Sequence, residues 1–149
     1  MFGDRWDWGD RFITIVRLGA GQVISRDKIV YSNPIFNVAK KYLDSPKEGV
    51  AELQRIYAID SNLTIDNLRD ISIWAAYFGD LDFAMDAMEK SCSLNEEGVL
   101  FSWLPVMKEV RQTSRFKAFV KKIGLVDYWN KFGWPDICRP LENGDFECD

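Results

Sequence analysis

The stretch LRDISIWAAYFGDLDFAMDAMEKSCSL, residues 68–94, decides the fold. Apolar side chains recur three and four residues apart on both sides of the short break GDLD (79–82), the spacing that gathers them on one face of an α-helix. Leu68, Ile71, Ala75 and Phe78 make the first stripe; Phe83 or Ala84, Ala87 or Met88, and Cys92 make the second. Gly79 tolerates the positive φ that ends a helix, and Asp80 offers a carboxylate to the unpaired amides that begin the next. Asp66 stands near the start of the first helix, where a negative charge meets the positive end of the helix dipole. The stretch predicts a helical hairpin.

The preceding segment, NPIFNVAKKYLDSPKEGVAELQRIYAIDSNL (33–63), has the same layout: helix, polar break at DSPKE, second helix, polar exit. Superposing Gly49 on Ala84 sets Leu53 on Met88 and Asp60 on Asn95, a shift of 35 residues, the length of a two-helix solenoid unit. A further shift of 35 gives Trp103 the place of an early aromatic in a third unit, but Pro105 interrupts a helix there, so the third unit is degenerate. Farther on, SRFKAFVKKIGLVDYWNKFGWPDICRP (114–140) predicts a helix capped by Ser114, with Phe116, Phe119 or Val120, and Ile123 on one face and Gly124 as its stop. A second short helix through VDYWNKF ends at Gly133, and Pro135 prevents continuation. The turn-rich, acidic tail is expected to be irregular and laid back along the body.

In residues 1–29, Trp8, Phe12, Ile15, Gly19 and Val23 recur at helical spacing and favour a helical layer, although the β-branched residues flanking GAG also suit a hairpin. The expected organisation is one all-α domain of about six to eight helices. It comprises the N-terminal layer, units at 30–64 and 65–99, a degenerate unit with a cap over 100–140, and an acidic tail at 141–149.

The composition narrows the function. A chain of 149 residues with six tryptophans, ten phenylalanines and five tyrosines has ample large side chains for a core. A net charge of −4 opposes the broad basic field of nucleic-acid binders, so no nucleic-acid partner is expected. There is no histidine, which removes Ser-His and Cys-His nucleophile activation and imidazole metal ligation together. Neither a signal-peptide pattern in MFGDRWDWGD nor a run near 20 apolar residues is found, so neither export nor membrane insertion is expected. Three cysteines, an odd number without a framework of spacings, suit a reducing compartment, and the cytoplasm is the expected location.

The segment GDLDFAMDAMEKSCSLN (79–95) resembles the second half of a tetratricopeptide repeat, with Gly79, Ala84 and Met88 at its turn, small and large apolar positions. Ser72, Ser91 and Glu96 depart from that pattern. The 114–140 segment, followed by DFEC, looks like the closing segment of a bacterial family of tetratricopeptide-type proteins. In that family the helical region often follows an adenylate/guanylate cyclase catalytic domain or a winged-helix DNA-binding domain. The resemblance spans residues 30–149 and implies an α-α superhelix with a C-terminal aromatic cap, a non-catalytic scaffold that binds a protein or peptide. The expected partner groove, lined by the first helix of each unit, is formed by Tyr31, Val38, Lys41 and Tyr42 with Asp66, Arg69, Ile73 and Tyr77. The alternative is a regulatory domain of a multidomain signalling protein acting through self-association, since two units are few for an independent solenoid.

A last hairpin in such a stack exposes an apolar face that a terminal element must cover. Tyr128, Trp129, Phe132 and Trp134 are expected to supply that cover, with Pro135 stiffening the exit. Other chemistry is poorly served. RLGAGQ (17–22) lacks a full phosphate-binding glycine pattern and reads as close helix packing. Asp80, Asp82 and Asp86 lack the glycine and glutamate of a calcium loop. Cysteines without histidine form no recognisable zinc site, and Cys138 and Cys148 meet only if the tail folds back. Neither cofactor nor metal is expected. Arg111, Arg115, Lys117, Lys121 and Lys122 form a basic stretch that the acidic tail is expected to neutralise in part.

Overall fold

The computed structural model describes residues 34–149, so the expected groove residue Tyr31 and the N-terminal layer lie outside the described residues. The elements run α1 (Pro34–Lys41), α2 (Pro46–Ile59), α3 (Ile65–Phe78), α4 (Leu81–Leu94), 3₁₀ segments at Glu96–Trp103 and Pro105–Met107, α5 (Lys108–Arg111), α6 (Ser114–Lys122), α7 (Leu125–Phe132), and strands β1 (Cys138–Pro140) and β2 (Phe146–Cys148). The described chain is predominantly helical. Among the described residues no helix is long and apolar enough to cross a membrane.

The α3–α4 hairpin lies at the centre and follows the predicted stripes. Leu68, Ile71, Ala75 and Phe78 are buried on α3, and Phe83, Ala84, Ala87 and Met88 on α4, while Cys92 is half-buried. Every residue from Ile71 to Ala76 is buried, so α3 is covered on nearly all sides. Gly79 closes α3 at φ 94°, a conformation costly for residues with a Cβ, and Asp80 accepts from the Phe83 amide at 3.0 Å to open α4. The start of α3 is fixed by a reciprocal box between Thr64 and Asn67: the Thr64 hydroxyl accepts from the Asn67 amide, and Asn67 Oδ1 accepts from the Thr64 amide. Ser72 donates its buried hydroxyl to the Ala84 carbonyl at 2.7 Å and ties the two helices together.

Some positions 35 residues apart share their burial, and others, such as exposed Lys41 and buried Ala76, do not. Gly49 and Ala84 are both buried, Leu53 and Met88 are both fully enclosed, and Tyr42 and Tyr77 are both half-buried. Past α4 the chain turns irregular, with 3₁₀ segments on either side of Leu104 and Pro105 opening the second. They dock tightly: a Cβ on Gly98 would lie 2.9 Å from the Cys92 amide nitrogen and the Ser91 carbonyl carbon, so only glycine lets that turn touch the end of α4.

The C-terminal region corrects two expectations. The cap of α6 is Thr113, whose hydroxyl accepts from the Phe116 amide at 3.1 Å; Ser114 is already inside the helix. One residue decides this, because Thr113 has the extended backbone that aims a hydroxyl at the third amide beyond it. The tail is ordered into an antiparallel hairpin that pairs Cys138 with Cys148, Arg139 with Glu147 and Pro140 with Phe146. Gly144, at φ 78°, makes its turn, and a Cys138–Cys148 disulfide closes it. The odd cysteine count is therefore one bonded pair plus the free thiol of Cys92.

Candidate functional site

The irregular chain after α4 leaves a cleft of about 310 Å³ beside the end of α3. Ala76 and Tyr77 line it from α3, Trp103, Pro105 and Val106 from the 3₁₀ segments, Lys108, Glu109 and Arg111 from α5, and Ile137 and Asp149 from the ends of the hairpin. Its volume is at the small end of ligand sites, enough for one or two side chains of a docked segment. Tyr77 is held by edge contacts to Trp74 at 5.3 Å and Phe78 at 5.6 Å between ring centroids.

Arg111 holds the back of this cleft together. Its Nε and one terminal nitrogen donate to the Asp149 carbonyl at 2.9 and 2.6 Å. The other terminal nitrogen donates to the carbonyls of Ser102 and Leu104 at 2.7 and 2.9 Å. The side chain is buried, and loss of solvation lowers its pKa while Asp149 partly restores it. With four hydrogen bonds to main-chain oxygens from its five N–H groups, the guanidinium acts as a cross-tie and has little left for a phosphate. The rest of the basic stretch is occupied in a similar way. Arg115 bonds Asp86 at 2.7 Å and Glu89 at 3.1 Å on α4, and both carboxylates raise its pKa. Lys117 and Lys121 both reach Asp145 of the tail at 3.1 Å. The expected neutralisation by the tail thus comes to Lys117 and Lys121 from Asp145 and to Arg111 from Asp149, with Arg111 buried rather than on a solvated face.

The structure separates the expected groove residues. Only Tyr77 lines the cleft. Asp66 and Arg69 pair at 2.7 Å, and Arg69 also bonds Asp70 at 3.1 Å, all on α3. Burial pushes the Asp70 carboxyl up, opposed by the Arg69 charge. Lys41 is exposed, and Val38 and Tyr42 are half-buried against the core. Ile73 is 4% exposed and belongs to the core, which removes it from an open surface.

The expected cap splits in two. Trp129 is buried against Trp103 at 5.7 Å, Trp134 at 5.2 Å and Phe146 at 5.9 Å, and Pro135 follows half-buried. Tyr128 and Phe132, by contrast, are 57% and 64% exposed and lie outside the Trp103–Trp129–Trp134–Phe146 ring contacts. Helical geometry explains the split: residues four apart share a face, while Trp129 points about 100° away from Tyr128, so one short helix cannot bury all the rings on one side. Phe146 takes the missing place; the sequence hinted at this only through an apolar residue inside an acidic tail.

The Cys92 thiol is pushed up to about 11, mainly by burial and further by Glu89. Among the described residues no group of three or more histidine, cysteine, aspartate or glutamate side chains is placed to hold a metal. No protein-family model, curated protein or solved structure matches the chain.

Proposed function

We propose that the chain is a non-catalytic protein-binding module of the tetratricopeptide-like, α-α superhelical kind, taking a protein or peptide segment in the Tyr77–Trp103 cleft. The carrying observation is that cleft, where a tyrosine at an expected groove position stands with Trp103 and Val106 under a rim of mixed charge from Lys108 and Glu109. Shared burial at positions 35 residues apart supports the repeat. Asp70, whose carboxyl burial raises, lies outside the cleft, and the Cys92 thiol is held protonated, which goes with a role without catalysis. The engagement of Arg111, Arg115, Lys117 and Lys121 supports a partner other than nucleic acid. A cytoplasmic setting goes with this reading, although the Cys138–Cys148 bond pulls toward oxidising surroundings.

Selection from a random-peptide display library, followed by titration against variants, tests the cleft. Peptides that lose at least about tenfold in affinity on Tyr77→Ala or Val106→Glu sustain the reading. Peptides indifferent to both overturn it.

The outward rings of Tyr128 and Phe132 favour a second reading, a regulatory domain of a cyclase or winged-helix transcriptional regulator that acts through self-association.

A further inference from the structure

A second hollow, of about 480 Å³, lies beside α7 and is lined by Cys92, Val99, Ile123, Gly124, Leu125 and Tyr128. It shares no residue with the Tyr77–Trp103 cleft. Tyr128 lines it and has the Phe132 ring, one turn further along α7, 4.7 Å away between centroids, and Ile123 adds a further exposed apolar side chain. Asp127 and Lys131, each one residue before a ring and so about 100° round α7 from it, flank the pair; both are exposed and neither is in a salt bridge with a described residue. Lys131 rests its ammonium 5.1 Å from the Phe132 ring centre.

We propose that this face binds a second copy of the chain, with two α7 helices packing antiparallel about a twofold axis. A twofold contact joins a patch to itself, so the patch must be its own complement. This one is. Its aromatic knobs adjoin an apolar hollow, so the rings of each copy enter the hollow of the other. Tyr128 and Phe132 are one turn apart, and antiparallel helices crossing between them set Tyr128 of one copy against Phe132 of the other. Asp127 and Lys131 have the same spacing, and that crossing brings the acid of each copy beside the base of the other. A partner surface of one sign would be repelled by one of the two. The patch is small beside the roughly 800 Å² that each side of a standard interface buries, so the dimer is weak and dissociates at micromolar concentration. This inference rests on the self-association reading and not on the cleft.

Sedimentation velocity of the full chain between about 5 and 500 µM tests it. The expected result is a weight-average mass that climbs from monomer toward dimer. Tyr128→Ala with Phe132→Ala leaves a monomer throughout. Asp127→Lys and Lys131→Asp each weaken the dimer about tenfold, and the two combined restore it, because a twofold pairing survives exchange of the signs. Mixing the two single variants yields a heterodimer tighter than either alone. Circular dichroism melts check that each variant is folded. A monomer at the highest concentration, a dimer indifferent to loss of both rings, or a double reversal as weak as the single ones overturns the proposal. Peptide binding in the cleft is read separately, so either result leaves the other reading distinguishable.

Discussion

The α1–α4 region and the region after Leu94 are held together by different means. The first repeats a simple device, an apolar stripe on each helix, and its polar contacts are mostly caps and surface pairs. The second has short helices, 3₁₀ turns and a hairpin, and is fastened by specific links: Arg111 to three carbonyls, Asp145 to two lysines, and Cys138 to Cys148. Periodic burial tolerates variation at any one position as long as the pattern survives, whereas a set of single fasteners fails one at a time.

The contrast can be broken most directly at its two anchors. Trp74 is fully buried in α3 against Phe36, Tyr77 and Phe78, and Trp74→Ala should cost about 3–5 kcal/mol in chemical denaturation. Arg111→Met strands the carbonyls of Ser102, Leu104 and Asp149 and should cost about 2–4 kcal/mol by the same measurement. A loss below about 1 kcal/mol there would mean that the C-terminal region is held by its rings instead.

Replacing Cys138 and Cys148 by serine should cost about 2–3 kcal/mol, since the closed loop is short. Amide exchange should rise in residues 137–149 and leave α3 unchanged. Equal loosening of both regions would erase the distinction. Smaller still, Thr113→Ala should remove about 1 kcal/mol while Ser114→Ala changes stability by no more than a few tenths, a pair of thermal melts that locates the cap of α6.

The gentlest probe is pH. The Phe146 amide and the two lysines hold the Asp145 carboxyl at about 2 against an ordinary 3.8. A depressed folded-state value means that this stabilisation is present above pH 3.8 and is lost as pH falls toward 2. Fluorescence of Trp134, which packs on Phe146 next to Asp145 in the chain, should track that loss, and Asp145→Asn should abolish the dependence.

The two regions also differ in how far the sequence discloses them. Helices α3 and α4 were legible because each buries a face that recurs every three or four residues, and Gly79 and Asp80 punctuate them with specific backbone and capping demands. The hairpin was not, because its partners lie far from it in the chain: Phe146 packs on Trp129, and Asp149 meets Arg111 across 38 residues. The cap of α6 was missed by one position because two hydroxyl residues stand side by side at Thr113 and Ser114. Of the expected groove, Tyr77 reached the cleft while Ile73, on the same helix, was drawn into the core. Helical periodicity tells which residues share a face, but it does not say whether the next element will cover that face.

The ring ladder in the cap has an optical consequence. Trp103, Trp129 and Trp134 form successive pairs with centroids 5.7 and 5.2 Å apart, close enough for their indole transitions to couple. That coupling gives a near-ultraviolet dichroism belonging to the C-terminal region, while the far-ultraviolet band reports the helices. Following both wavelengths in one melt shows whether the chain comes apart in a single event or sheds its cap first.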